Sequence, residues 1–188
     1  MINPEMKVQW MNVKEEQVKT TSILNLFKEY SHRTTKTKDG HEEIRFSPGE
    51  LKITDWRGWT DIEYLRRVKD ADVLWVALFT DNQEIIVSSG ELIPVYKSSI
   101  PKRGFHGASI FEYQLKIPRD IDISTDFIRI RRGINQEEFV RIHEPIYDCT
   151  SAPSLFGYEI GTKSKFFNCN NVHIFGSDTV PDKMEVSR

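Results

Sequence analysis

The chain has 188 residues, of which 38% are hydrophobic and 29% are charged, a composition typical of a folded globular protein rather than a disordered one. Its formal net charge of −2 provides no long-range field that would attract nucleic acid or an acidic membrane. Two cysteines exclude a disulfide framework and a four-cysteine zinc site. The sequence has no apolar run long enough for a membrane span and no signal-peptide core at its start, so we expect a cytosolic or particle-associated soluble domain.

The first third of the chain contains one convincing helix signal. A short strand is predicted at Met6–Met11, where Val8 and Trp10 lie on one face. Ser22 is a suitable N-cap for a helix. The residues after it form an apolar stripe at i, i+3, i+4 and i+7, namely Ile23, Leu26, Phe27 and Tyr30. A helix of about two turns is too short to be stable alone and must pack against the remaining chain.

From Leu51 onward, short runs of β-branched and aromatic residues separated by Gly, Asp and Asn predict an all-β architecture. The predicted strands cover 51–55, 56–62, 62–68, 73–79, 83–96, 110–117, 127–131 and 138–143. The segment 83–96 is expected to bend at Ser88–Gly90 and to project polar side chains into the fold. Residues 97–107 are expected to form an exposed loop. Three further runs, 156–160, 165–169 and 172–175, predict a three-stranded meander.

Four stretches of the chain resemble, in order, the conserved blocks of inteins and hedgehog autoprocessing domains, which share the Hint fold. They are 1–8, the hairpin region 54–78 that leads to the bend at Ser88, 158–160 and 166–177. The resemblance covers most of the chain and is weakest over 97–145. It implies a mainly β, horseshoe-shaped Hint-like fold with one short N-terminal helix. It also implies a single domain over 1–176, followed by a flexible tail over 177–188.

The chain departs from the intein pattern at most of the positions that perform splicing. The family has a cysteine or serine at the first position, where Met1 has a thioether without a proton to lose. The threonine and histidine of the second block correspond to Ser88 and Glu91, and a glutamate is normally ionised at neutral pH. The closing histidine, asparagine and second nucleophile correspond to Phe175, Gly176 and Ser177.

These departures predict a catalytically inactive intein-like domain that acts as a binding or structural protein, with another protein as its partner and no cofactor. Inteins are common in phage genes, so we expect a phage origin and a cytoplasmic or virion-associated location. With Met1 as the start of the chain, nothing would precede it to be spliced. The alternative is residual autoprocessing, either C-terminal cleavage or acyl transfer, by Ser177 together with Glu159 or His173.

The sequence contains candidate residues for three other kinds of site: a polar pocket, a phosphate-binding group and a metal site. Ser88 and Glu91 form either a residual polar pocket or a solvated bend whose hydroxyl caps a backbone group, and the second is commoner. A group of cations could bind phosphates, although nearby acids and the near-neutral net charge favour a solvated strand face: Lys97, Lys102, Arg103, Arg129, Arg131 and Arg132. The potential metal ligands lack the close spacing of zinc sites, so we expect no metal site: His106, His143, His173, Cys149 and Cys169.

Overall fold

A computed structural model describes residues 1–55, 58–70, 72–97, 102–103, 109–110, 112–133, 136–147 and 155–178. The described part is mainly β, as predicted. Its strands are β1 (Lys7–Asn12), β2 (Gln17–Ser22), β3 (Thr35–Lys36), β4 (Glu42–Arg45), β5 (Leu51–Asp55), β6 (Gly58–Lys69), β7 (Trp75–Phe79), β8 (Glu84–Ser88), β9 (Ile93–Val95), β10 (Lys102–Arg103), β11 (Ser109–Ile110), β12 (Gln114–Lys116), β13 (Ile128–Gly133), β14 (Gln136–Val140), β15 (Ile146–Tyr147), β16 (Phe156–Thr162), β17 (Phe166–Cys169) and β18 (Val172–Phe175). The α-helix is α1 (Ile23–Glu29), and 3-10 helices cover Ser31–Arg33 and Pro118–Asp120.

The long strand β6 is the centre of the largest sheet in the described chain. The sheet runs in the order β2-β1-β5-β6-β4-β3, and β16 also pairs with β6. Over Tyr64–Arg67, β4 lies on one edge of β6 and β16 on the other. Smaller sheets have the orders β14-β13-β18-β17, β15-β7-β8, β12-β9 and β10-β11. Because β16 joins β6 from nearly the far end of the chain, the largest sheet brings both ends of the sequence together.

The helix forms as the sequence predicts. The Ser22 hydroxyl accepts a hydrogen bond from the backbone N–H of Asn25 at 3.2 Å, which satisfies one of the amides left unpaired at a helix start. The predicted apolar stripe is buried against the sheet, with Leu26 and Phe27 almost inaccessible to solvent. Within the described segments, no helix is both long enough and apolar enough to cross a membrane.

Two hydrophobic clusters fill the described part of the fold. The larger one lies around Trp10, Leu26 and the strands β5 to β8. The smaller one is aromatic and consists of Tyr96, Tyr113, Phe166 and Phe175, with half-buried side chains packed around it. Burial of these side chains is the main source of folding free energy, at roughly 1.5–3 kcal/mol for each large apolar side chain.

The predicted bend at 83–96 is present, because β8 ends at Ser88 and β9 begins at Ile93. The predicted three-stranded meander is wrong. Strands β17 and β18 form a hairpin, joined by Asn170 and Asn171 at φ 47° and 61°. Strand β16 pairs with β6 instead. The runs 56–62 and 62–68, predicted as separate strands, are a single strand from Gly58 onward.

Candidate functional site

The first residues of the chain lie as a short extended segment between β8 and β16. The backbone N–H of Ile2 donates to the carbonyl oxygen of Tyr158 at 2.8 Å, and the N–H of Tyr158 donates back to the Ile2 oxygen at 3.0 Å. On the opposite side, the N–H of Ser88 donates to the Met1 oxygen at 2.8 Å. Ile2 is 2% exposed. These backbone bonds hold Met1 at the centre of the fold.

Met1 lies directly against the bend that follows β8. Its terminal ammonium group donates to the hydroxyl oxygen of Ser88 at 3.0 Å and forms an ion pair with the carboxylate of Glu91. The backbone N–H of Glu91 in turn donates to the Ser88 carbonyl oxygen at 3.0 Å, which fixes the bend. Ser88 and Glu91 therefore form a polar pocket in contact with Met1, rather than a solvated bend.

Phe175, Gly176 and Ser177 lie beside the Met1 pocket. A cavity of about 290 Å³ is bordered by side chains from the first, second and closing segments. The residues at splicing positions that line it are Met1, Glu91, Glu159, Phe175, Gly176 and Ser177. The carbonyl oxygen of Gly176 accepts a hydrogen bond from the backbone N–H of Thr162 at 3.0 Å. The positions implied by the resemblance thus lie around one cavity, with Ser88 in contact with Met1 beside it.

A charged network centred on Arg66 forms one wall of this cavity. Arg66 lies directly opposite Glu43 on β4 and opposite Glu159 on β16. Its guanidinium group donates to the carboxylates of Glu43, at 2.6 and 3.0 Å, and of Glu159, at 2.9 Å. It also donates to both carboxylate oxygens of Asp178, at 2.8 and 3.0 Å. The guanidinium lies 4.7 Å from the centre of the Tyr64 ring.

These contacts determine the protonation states along the wall. Hydrogen bonds from Arg66 lower the pKa of Asp178 below its usual value despite its partial burial, and the Tyr64 hydroxyl lowers it further. Burial, followed by the adjacent Asp178 carboxylate, raises the pKa of Tyr64. Asp178 is therefore held as a carboxylate, and the carboxyl groups of Glu43, Glu159 and Asp178 all bind the one Arg66 guanidinium.

Sequence reasoning missed Arg66, Tyr64 and Asp178. Tyr64 and Arg66 are two residues apart on β6 and so share a face, which is visible in the sequence. Their position at the site depends on the pairing of β16 with β6, which the sequence pattern does not reveal. Of the predicted tail, Ser177 and Asp178 are described, and 179–188 lie outside the described residues.

The candidate metal ligands that the structure describes, His143, His173 and Cys169, do not form a metal site. His173 is 2% exposed and stacks on the Phe166 ring at 4.8 Å between centroids, within the aromatic cluster. Burial, and then the nearby Arg129, lower its pKa well below the ordinary value, so it is neutral at pH 7. His143 is exposed and contacts Asp81, and Cys169 is buried. His106 and Cys149 lie outside the described residues. Over the described ranges, no group of three His, Cys, Asp or Glu is suited to a metal ion.

The predicted basic group is dispersed and largely paired. Arg129 is 4% exposed and forms an ion pair with Glu137 at 2.5 Å, while Arg132 pairs with Glu138 at 2.7 Å. Lys97 pairs with Asp126 at 2.7 Å. Arg131 donates to the carbonyl oxygen of Gly133 at 3.2 Å. For Lys102 and Arg103 only the backbone strand β10 is described. A phosphate-binding surface at these residues stays an untested prediction.

Comparison with solved structures identifies the architecture. The chain is similar to the transcription factor IIB Mvu mini-intein, with a TM-score of 0.68, 10% identity, and coverage of 93% of this chain and 98% of that one. It is also similar to a KlbA intein precursor from Methanococcus jannaschii, with a TM-score of 0.68, 12% identity, and coverage of 98% and 95%. The PabCDC21-1 intein gives a TM-score of 0.67 at 11% identity, with coverage of 94% and 98%.

No protein-family model matches the sequence, and no curated protein sequence matches it. The likeness therefore lies in the arrangement of the backbone, which extends over more than nine tenths of this chain and of each of these three structures. The fold predicted from the sequence is confirmed: this chain has an intein-like Hint fold.

Proposed function

We propose that this intein-like domain does not splice and acts as a binding or structural protein. The observation that carries the proposal is the chemistry of Met1, which lies where the first segment meets β8 and β16. Acyl transfer at this position needs a thiol or hydroxyl that can lose a proton and attack a carbonyl carbon. A thioether has no such proton, so the first step has no nucleophile there.

The groups that would transfer protons or cyclise are also missing from this site. Glu91 is engaged with the Met1 nitrogen and Ser88. Phe175 packs in the aromatic cluster, and Gly176 has no side-chain amide with which to attack the backbone. His173 stacks against Phe166 as a neutral ring. A fold that is kept without these groups favours a role that depends on shape and surface rather than on catalysis.

The test places the chain between two different protein tags and incubates the fusion with a thiol at neutral pH. We expect the full-length fusion to remain intact, with no ligated tag–tag product and no cleaved tag. The matched control is a Met1→Cys variant of the same fusion, in which the first nucleophile is restored. Release of either tag from the unmodified chain, mapped by mass spectrometry to the junction at Gly176–Ser177 or before Met1, would overturn the proposal.

Residual cleavage after Gly176 is the second candidate, and one contact favours it. The Gly176 carbonyl accepts the Thr162 N–H, which polarises the carbon that the Ser177 hydroxyl would attack. In that reaction the Ser177 oxygen bonds to the Gly176 carbonyl carbon, the peptide C–N bond breaks, and the proton of the hydroxyl goes to the freed amine. Water then hydrolyses the ester, so the two products together are heavier than the chain by one water.

Intact mass after prolonged incubation distinguishes the two candidates. A single unprocessed species supports the non-catalytic proposal, whereas two fragments that end at Gly176 and begin at Ser177 support cleavage. A Ser177→Ala variant must then abolish those fragments.

We further propose a protein partner, a cytoplasmic or virion-associated location and a phage origin, each by analogy with inteins. The nucleic-acid alternative requires a retarded band on DNA at low salt that weakens steeply as salt rises.

A further inference from the structure

A second cleft lies apart from the Met1 site and is lined by neutral polar side chains. Its volume is about 530 Å³, within the usual range for small-molecule sites. None of its described lining residues also borders the cavity at Met1. Strands β1, β2 and β5, the residue before β8 and the β17–β18 hairpin all contribute to it. It is therefore built by tertiary packing rather than by one loop.

Primary amides dominate the lining of this cleft. Five lining side chains carry a primary amide: Gln9, Gln83, Asn168, Asn170 and Asn171. Both amide atoms of Asn170 are bonded within the protein, and the Gln9 oxygen accepts a hydrogen bond from Arg131 at 3.4 Å. Two hydroxyls, those of Thr20 and Thr54, supplement them. The charged lining residues, Glu5 and Lys7, are one of each sign and cancel. The cleft is thus matched to a ligand that is uncharged and rich in hydrogen-bonding groups.

Asn168 supplies an unmet donor in the wall of the cleft. The side chain is 4% exposed, and its Nδ2 has no acceptor among the described residues. A buried donor without an acceptor is destabilising, so such groups call for a partner. A hydroxyl or other acceptor bound in the cleft would satisfy this nitrogen.

The backbone of β1 beside the cleft has a partner strand on each edge, so a peptide is not expected to add there as a strand. β1 already pairs with β2 on one edge and with β5 on the other. Asn170 is also occupied, because its Oδ1 accepts the Lys7 N–H at 2.7 Å and its Nδ2 donates to the Glu84 carbonyl at 2.8 Å. These bonds hold the hairpin rigidly against β1 and β8. The side chains, rather than the strand backbone, are what the cleft offers to a ligand.

We propose that this cleft binds a neutral polyhydroxyl ligand, of the class of saccharides, through its amide side chains and the buried Asn168 donor. Neighbouring hydroxyls of a sugar ring can donate to an amide oxygen and accept from an amide nitrogen at the same time. No aromatic side chain occurs among the described lining residues. Ring stacking is therefore absent from that part of the cleft, and we expect millimolar rather than micromolar affinity.

The test titrates the ¹⁵N-labelled full chain with trehalose, as a free disaccharide, and with a short dextran oligosaccharide, as a polysaccharide segment. We expect saturable shifts of the side-chain amide signals of Asn168, Gln9 and Gln83 below about 50 mM, as suits a weak small-ligand site. Tighter binding of the oligosaccharide would identify a polysaccharide as the source of the ligand. Saturation by either probe at these signals supports the proposal, and a linear response to both overturns it.

Two variants separate binding from folding. Asn168→Leu removes the buried donor at nearly constant volume, and we expect the affinity to fall at least about fivefold. Gln83→Ala changes a partly exposed residue at little risk to the fold and should also weaken binding. The matched control is Asn25→Leu on the exposed face of α1, which should leave binding unchanged. The proposal would be overturned if Asn168→Leu and Gln83→Ala both bound the probes with the affinity of the unmodified chain. It would also be overturned if glucuronate or glucosamine bound more tightly than trehalose. Each of these results leaves the splicing tests above unaffected.

Discussion

Both terminal nitrogens of Arg66 donate hydrogen bonds to the carboxylate of Asp178, at 2.8 and 3.0 Å. Asp178 directly follows Gly176 and Ser177, so this bidentate pair holds the closing segment against β6. Paired contacts of this geometry are stronger and more directional than single ones. The guanidinium is itself fixed by Glu43 and Glu159 across β4 and β16. The pair therefore connects the central strand to the junction at Gly176 and Ser177.

Replacing Asp178 should loosen that junction with little effect on global stability. We expect Asp178→Asn to speed amide hydrogen exchange at Gly176 and Ser177 while lowering the free energy of unfolding by less than about 1 kcal/mol, since the side chain is 48% exposed. The control is Asp120→Asn, because Asp120 is exposed and its nearest ion-pair partner, Arg119, is 3.6 Å away. Unchanged exchange at the junction would contradict this account.

The same pair predicts a pH dependence. The pKa of Asp178 is lowered by Arg66, so the folded state binds the proton less readily than the unfolded state does. The stabilising contribution is complete above the ordinary aspartate pKa and is lost as pH falls through the lower value of the folded protein. The protection factor of the Ser177 amide, which is the intrinsic exchange rate at each pH divided by the observed rate, should therefore fall below about pH 4 in the unmodified chain and not in Asp178→Asn. An equal fall in both proteins would rule out the carboxylate as the cause.

Gly161 should not tolerate a larger residue. It lies directly opposite Tyr64 in the β6–β16 ladder, and an added Cβ would come within 2.0 Å of the Tyr64 ring. We expect Gly161→Ala to lower the free energy of unfolding by about 3 kcal/mol, measured by urea denaturation, because the ring and strand must shift. Gly90→Ala is the control, since Gly90 has open space around it. In the double variant, Tyr64→Ala should remove most of the destabilisation that Gly161→Ala causes. If the two losses in the free energy of unfolding simply add, the clash is disproved.

His173 should make the fold sensitive to mild acid. Burial and Arg129 keep its pKa well below the ordinary value, so the unfolded state binds the proton more readily. The contribution of the neutral His173 ring to the free energy of unfolding is complete above about pH 6.5 and is lost as the pH falls below that value. The free energy of unfolding should therefore fall as the pH is lowered from 7.5 to 5. His173→Phe keeps an aromatic ring against Phe166 and should remove that part of the pH dependence. The same loss in the variant would contradict the assignment.

The Ser22 cap should contribute a measurable part of the stability of α1. Ser22→Ala removes the acceptor for the Asn25 N–H, and we expect a loss of about 1 kcal/mol in the free energy of unfolding. Ser22→Asp retains an acceptor at the cap and is the matched control. Equal stability of the two variants would show that docking of Leu26 and Phe27, and not the cap, determines the stability of the helix.

Features encoded over short distances were predicted correctly. The capping residue Ser22 and the spacing of Ile23, Leu26, Phe27 and Tyr30 determine the helix, because both depend on contacts within two turns. The bend at Ser88–Gly90 was also visible as a polar break between two apolar runs. The Hint fold was indicated by the resemblance of four stretches, in order, to intein blocks: 1–8, 54–78, 158–160 and 166–177.

The sequence by itself determined the strand-rich architecture and the helix, and its resemblance to inteins predicted which residues stand at the splicing positions. Only the tertiary structure decided which strands pair: β16 joins β6 rather than forming a meander, since strand pairing depends on contacts about a hundred residues apart that no local pattern encodes. That pairing places Arg66 opposite Glu159 and makes the cavity wall that sequence reasoning missed. The tertiary structure also decided that Arg129 and His173 are buried rather than solvated, because burial depends on the packing of β13 against β18.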